Sequence, residues 1–275
     1  MKEQFDNKLA QSSVEWLGNT ICKAGGHYAY TGSLYLQEDT TRSNYKVYAS
    51  PYRSWIYDEC IGVDIPSGFY NQSGQFLTRQ SGLIFDFING RVLSSGNWGP
   101  NLSGSFYRKE FNIQFVSNEV ATLYIDRLFN ADPNMDYAKT GAFPYSYTAP
   151  IIFITNSNAK NDTFQLGGGL TNSHRTYRLY TVTKDNFSQE ALVSVLTDKK
   201  DSYFPIISSD QMPLQFYGDL KSGHFNYCNL SQQFPCSSGA RVKNVYHYKI
   251  DQHTLNTAAW FASVYDLELE TVRTV

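Results

Sequence analysis

The residue types that carry most enzyme chemistry are sparse in this chain and poorly spaced for it. The histidines are His27, His174, His224, His247 and His253, and none belongs to a His-Glu-x-x-His arrangement. His247 and His253 stand six apart, a spacing that straddles a strand and a turn. The cysteines Cys22, Cys60, Cys228 and Cys236 form no Cys-x-x-Cys pair. Cys228 and Cys236 could approach each other across a loop, as a disulfide or as half a metal site. A structural zinc normally takes four ligands in two tight pairs, so the favoured reading is reduced thiols and no metal.

The other chemical signatures fail for stated reasons. Leu166-Gly-Gly-Gly-Leu170 lacks the Gly-Lys-Ser/Thr that holds phosphate and magnesium in a P-loop, and reads as a turn that uses positive φ. No Gly-x-Ser-x-Gly elbow and no Cys/His protease pattern is present. Asp266, Glu268 and Glu270 share one strand face and read as a solvated acidic row. Two distant carboxylates could still meet as in a glycosidase. Trp16, Trp55, Trp98 and Trp260 are possible sugar platforms, although large aromatics more often fill cores. The expectation is therefore no catalytic residue, no metal and no cofactor.

Short elements must position whatever does act. Phe5, Leu9, Trp16, Leu17 and Ile21 recur at helical spacing, and Gly25-Gly26 stops that helix. Residues 27–57 are Tyr-rich and polar and read as an extended arm with short strands. Asn89-Gly90 is the preferred pair of a type I′ hairpin turn. It predicts that Leu83–Ile88 pairs antiparallel with Arg91–Ser95. Phe111, Ile113 and Phe115 alternate as a strand. A helix then starts near Ser117 or Asn118, with Val120, Leu123, Tyr124, Leu128 and Phe129 on its apolar face, and Asp132-Pro133 ends it.

The second half opens with Pro150–Thr155, an apolar run suited to a buried strand. Asn156–Asp162 reads as a polar loop leading to the glycine run. Arg175–Val182 alternates as a strand. A helix over 184–200 is capped by Asp185 or Asn186 and faces the core with Leu192, Val195 and Leu196. Tyr203–Ile207 reads as a loop, 208–240 as a loop-rich insertion, and Arg241–Ile250 and Trp260–Val272 as strands. The fold class is α+β and β-rich: one mixed or antiparallel sheet, two or three helices, an N-terminal helix and arm over 1–57, and a core domain over 58–275.

Composition narrows the function classes. Lys plus Arg number 23 and Asp plus Glu 25, giving a net charge of −2. That balance disfavours a sequence-specific nucleic-acid binder and a polybasic membrane-surface protein. No apolar run is long enough to span a membrane. The first thirty residues show no apolar core followed by a cleavage site, so no secretory leader is expected. Only 17% of residues are charged while 16% are aromatic, with 21 Tyr and 18 Phe. Tyr and Trp are enriched where subunits meet, which favours a contact-making protein over an enzyme.

Three stretches carry a resemblance: Gly82–Val92 (GLIFDFINGRV), Lys109–Ile113 (KEFNI) and Phe261–Arg273 (FASVYDLELETVR). They resemble virion structural proteins of tailed bacteriophages, in particular neck and tail-completion proteins of contractile-tailed phages. The order strand, loop to Phe164-Gln-Leu-Gly-Gly, strand Arg175–Tyr180, helix and Phe-Pro loop is similar to that of tail terminators. The resemblance covers roughly residues 60–205 and 255–275. It implies a structural subunit at the head-to-tail junction that joins the capsid connector to the tail, made in the host cytoplasm and resident in the virion. It implies a homo-oligomeric ring, hexameric by preference or dodecameric, touching neighbouring neck and tail proteins, with the genome passing through it. A loop at 156–174 would then reach a neighbour, making Asn156, Asn158, Lys160, Asp162, Gly167, Gly168, Gly169 and His174 interface candidates. The alternative is a phage baseplate or fibre element, or a carbohydrate-binding β-rich module.

Overall fold

The computed structural model describes residues 4–37, 44–129, 150–163, 169–234, 239–250 and 261–274. They divide into two compact units, Gly25–Glu110 with Met212–Asn229, and Met1–Ala24 with Phe111–Gln211 and Leu230–Val275. The fold is α+β and β-rich, but it holds two sheets where one was expected, and four helices among the described residues.

The first unit is an antiparallel sheet of seven strands: β1 (His27–Gln37), β2 (Lys46–Ala49), β3 (Gly68–Asn71), β4 (Phe76–Thr78), β5 (Leu83–Asp86), β6 (Arg91–Ser94) and β7 (Asn101–Lys109). Their order is β4-β3-β7-β1-β2-β6-β5. One face is an aromatic core in which Trp55, Phe69, Phe85, Phe87 and Phe106 are all buried. Trp55 stacks on Phe106 at 4.3 Å, and Phe69 meets Phe85 edge-on at 5.7 Å. Each such ring contributes on the order of 2–3 kcal/mol by leaving water. Gly32 and Gly104 face each other across β1 and β7. A Cβ on Gly32 would strike the Tyr30 ring, and one on Gly104 the Phe69 ring. The missing side chains let those rings lie across the strands.

This arrangement corrects the boundary expected at residue 57. The segment read as an arm supplies β1 and β2, which lie inside the sheet order with a strand on either side. Its core-facing positions are Tyr30, Gly32 and Leu34, of which only Leu34 is aliphatic, so the period-two pattern was concealed.

The Asn89-Gly90 hairpin exists with a different turn. Leu83 faces Ser94 and Asp86 faces Arg91, which leaves four residues, Phe87–Gly90, in the connection. Gly90 has φ +64, whereas Asn89 is not among the positive-φ residues, so the turn is not type I′. Phe87 goes into the core instead. Its N–H donates to the Gly218 carbonyl at 3.1 Å and its carbonyl accepts from Trp55 N–H at 2.7 Å. The buried Asp86 carboxylate accepts from Asn89 N–H at 3.0 Å and from Arg91 Nη2 at 3.1 Å, and so caps the loop.

The second unit carries α1 (Phe5–Lys23), β8 (Asn112–Phe115), α2 (Asn118–Phe129), β9 (Ile151–Thr163), β10 (Leu170–Thr183), α3 (Asn186–Thr197), β11 (Tyr203–Pro205), β12 (Gly239–Lys249) and β13 (Phe261–Thr274). The short α4 (Tyr227–Gln233) lies within the stretch read as loop. The sheet order is β11-β12-β13-β10-β9-β8, antiparallel except for the parallel pair β8–β9. Ala121 and Tyr124 of α2 pack on Ile151, Phe153, Tyr180 and Val182. By strand alternation Ile152, Ile154, Leu179 and Thr181 face the other way. α3 packs on β10, β12 and β13. Asp185 caps α3 by accepting from Ser188 N–H at 2.7 Å. Leu9, Trp16, Leu17 and Ile21 of α1 are all buried, and Trp16 stacks on Phe204 at 4.8 Å. The N-terminal helix is therefore core. Tyr203–Pro205, read as a loop, is an edge strand, where proline costs no ladder bond.

Candidate functional site

The stretch Asn156–Asp162, expected as a loop, is the outer half of strand β9. β9 and β10 form a long hairpin, paired from Ile151↔Val182 out to Thr163↔Thr171. The inner residues Ile151–Ile154 are buried, while Asn156, Asn158 and Lys160 are exposed. Asn, Asp and Lys are poor strand formers. Here the ladder overrides them, because β10 is held on its other side by β13 along its full length. The register shifts between Thr176 and Tyr177, where Ser157 is inserted as a bulge.

Among the described residues, one edge of this hairpin is open. β8 pairs with β9 only over Ile151–Ile154. Beyond Thr155 no strand among the described residues pairs with the outer edge of β9. Its outward N–H and C=O groups present a template for another strand, and the bulge and Lys160 moderate it.

Arg175 fixes the hairpin at its middle. The side chain is 4% exposed. Nε donates to Asp6 Oδ1 at 2.8 Å. Nη1 donates to the Lys160 carbonyl at 3.3 Å, to Asn161 Oδ1 at 3.0 Å and to the His174 carbonyl at 3.0 Å. The guanidinium also lies over the Phe5 ring at 5.6 Å. A buried cation persists only when its donors are satisfied in this way. Sequence reasoning did not single out Arg175. The available signal was a lone arginine opening an otherwise apolar alternation.

Charges line the same stretch. Lys160 pairs with Asp162 at 2.9 Å. His174 Nε2 stands 4.0 Å from both Asp162 Oδ2 and Glu270 Oε1. Glu270 accepts from Asn172 Nδ2 at 2.7 Å. That bond, helped by Lys243, His174 and Arg241 and opposed by burial, holds its carboxyl below the usual range. The acidic row expected on a solvated face is thus engaged throughout. Arg178 forks onto Asp266 at 2.7 and 2.9 Å, and Asn244 donates to Glu268 at 2.6 Å. Of the interface candidates, Asn156, Asn158, Lys160, Asp162 and His174 lie on the hairpin strands. Gly169 sits at φ +64 just before β10. Gly167 and Gly168 lie outside the described residues.

Elsewhere one serine and one histidine do meet. His247 Nε2 lies 3.1 Å from Ser263 Oγ. Gln189 Nε2 donates to the same hydroxyl, and the His247 ring stacks on Tyr265 at 4.8 Å. Ser263 has no exposed surface, so no substrate reaches it, and the trio is a polar pin between α3 and the sheet. Among the described residues no cluster could hold a metal ion. Trp16 and Trp55 are buried and cannot be sugar platforms. Trp98 Nε1 donates to Ser94 Oγ at 2.8 Å, and Trp260 is not described.

The cysteine reading also changes. Cys228 is bonded to Cys60, with their Cα atoms 5.6 Å apart, and not to Cys236, which lies outside the described residues. Asp58 brings the two together. Its Oδ1 accepts from Cys60 N–H at 3.0 Å and from Tyr227 N–H at 2.9 Å. Cys22 remains a buried thiol.

No protein-family model matches this chain, and no curated protein sequence matches it.

Proposed function

We propose that the protein is a structural subunit of a tailed-bacteriophage virion that forms a homo-oligomeric ring at the head-to-tail junction, hexameric by preference. One observation carries the reading: the hairpin β9–β10 is anchored at Arg175, yet its outer β9 edge has no strand partner among the described residues. A subunit that closes a ring needs a surface of this kind, which a neighbour completes. The run β9, β10, α3 and the Phe204-Pro205 stretch also supports it, since the resemblance to tail terminators rests on the order strand, loop, strand, helix and Phe-Pro loop. The Cys60–Cys228 disulfide suits a particle that leaves the cytoplasm, because virion surfaces meet oxidising surroundings. The subunit is read as non-catalytic, with the hairpin residues Asn156, Asn158, Lys160, Asp162 and His174 touching the neighbour.

Mass measurement in solution, with electron microscopy of the same sample, tests this. A closed ring is expected, together with protection of the 156–174 stretch from limited proteolysis on assembly. A protein that stays monomeric at high concentration, or whose hairpin is cut equally in both states, overturns the reading.

A further inference from the structure

Five arginines are given carboxylates. Arg79 pairs with Asp219, Arg91 with Asp86, Arg175 with Asp6, Arg178 with Asp266 and Arg241 with Asp201. Arg108, near the end of β7, departs from that pattern. It makes no ion pair and no side-chain hydrogen bond with a described residue. Its guanidinium instead lies 4.3 Å from the Tyr52 ring centroid and 5.0 Å from that of Tyr28. Arg79 also sits over an aromatic ring, Phe85, but its donors are occupied by Asp219.

Stacking uses the faces of a guanidinium and leaves its N–H edge available. That edge is a planar fork that matches an oxyanion bidentately. Tyr52 is itself fixed, since its N–H donates to Ser50 Oγ at 3.1 Å. Tyr28, directly opposite Arg108 in the β1–β7 register, is 48% exposed. A cation oriented by aromatic rings, with no anion among the described residues, therefore stands beside an exposed phenol ring.

We propose that Arg108, Tyr28 and Tyr52 form a binding site for a carboxylate-bearing saccharide, the fork taking the carboxylate and the tyrosine surface the sugar ring. A nucleic acid is the poorer match, because backbone binding needs several phosphate contacts and this chain carries a net charge of −2. The inference goes beyond the ring reading and does not depend on it, since it concerns a different surface and is read out by ligand binding and not by mass.

The test titrates the full-length protein with two acidic probes, a galacturonic acid trisaccharide and sialyllactose. The comparisons are the carboxyl-reduced trisaccharide and lactose. Binding of either acidic probe is expected, weakened about tenfold or more by Arg108→Gln and by removal of the carboxylate, as suits a charge-assisted fork. Arg108→Lys should rescue only part, because it keeps the charge and loses the fork. Melting temperature confirms that each variant is folded, and Tyr28→Ala, on an exposed ring, serves as a second variant. The proposal is overturned if neither acidic probe binds, if the neutral sugars bind equally well, if the folded Arg108→Gln and Tyr28→Ala variants bind unchanged, or if a short oligonucleotide displaces the sugar.

Discussion

Arg175 and Asp6 meet at 2.8 Å across 169 positions of sequence, one almost fully buried and the other half exposed. The two ends of the contact are therefore unequal. Replacing Arg175 by Gln strips donors from Asp6, Asn161 and two carbonyls, and should cost about 3 kcal/mol. Asp6→Asn leaves three of the four acceptors in place and should cost about 1 kcal/mol or less. Urea denaturation of both variants measures the ratio. Equal losses would show that the arginine serves α1 alone and not the hairpin.

Gly90 is a backbone requirement. At φ +64 a Cβ would come within 1.9 Å of the Tyr52 carbonyl oxygen. Gly90→Ala should therefore cost about 3 kcal/mol, above the penalty of positive φ alone, and Gly90→Val more. A melting temperature within a degree of the parent would mean that the connection relaxes freely.

The Cys60–Cys228 bond spans 168 positions and closes a long loop. Cys60→Ser should remove about 2–5 kcal/mol under non-reducing conditions. With excess reductant the parent should fall to the level of the variant. Non-reducing peptide mapping should find Cys60 joined to Cys228. Finding Cys228 joined to Cys236 instead would refute the pairing.

His247 makes stability depend on pH. Burial first, then the charge of Lys249, holds its imidazole below the ordinary value, against the pull of Glu190. The unfolded chain titrates near 6.5, so just below that pH it binds more protons than the folded one. The contribution is intact above about 6.5 and declines as the solution is acidified towards the folded value. His247→Gln should flatten the change in unfolding midpoint between about pH 7.5 and pH 5.5, where ordinary carboxylates contribute little. An unchanged slope would show that another group sets it.

What could be read from sequence followed the apolar side chains. The α1 stripe, the Asp185 cap, the two strands either side of Asn89-Gly90 and the alternation of β13 are all visible because branched or aromatic residues recur at the right period. Reading failed where something else decided the conformation. β1 faces its core with Tyr30 and Gly32, so its period is legible only once β7 lies beside it. The outer half of β9 is strand only because β10 and β13 hold it, and no property of Asn156–Asp162 announces that. Arg175 and the Cys60–Cys228 bond join positions far apart, and pairings of that kind depend on topology, which local spacing does not encode. The polarity of residues 156–162 was legible, but their strand conformation was not. Nor were the open edge and the arginine that fixes it.

The division of the chain into interleaved segments has a consequence for synthesis on the ribosome. β1 to β7 lie within one stretch, Gly25–Glu110, and can begin to pair while the later chain is still being made. The other sheet cannot be completed so early. Its strand β10 depends on β13 for one whole edge, and β13 is residues Phe261–Thr274. Until that stretch emerges, α1, which precedes every strand of this sheet, has no completed sheet to cover. Its apolar face, Leu9, Trp16, Leu17 and Ile21, must stay shielded until then, and transiently exposed apolar surface of this kind is what chaperones hold.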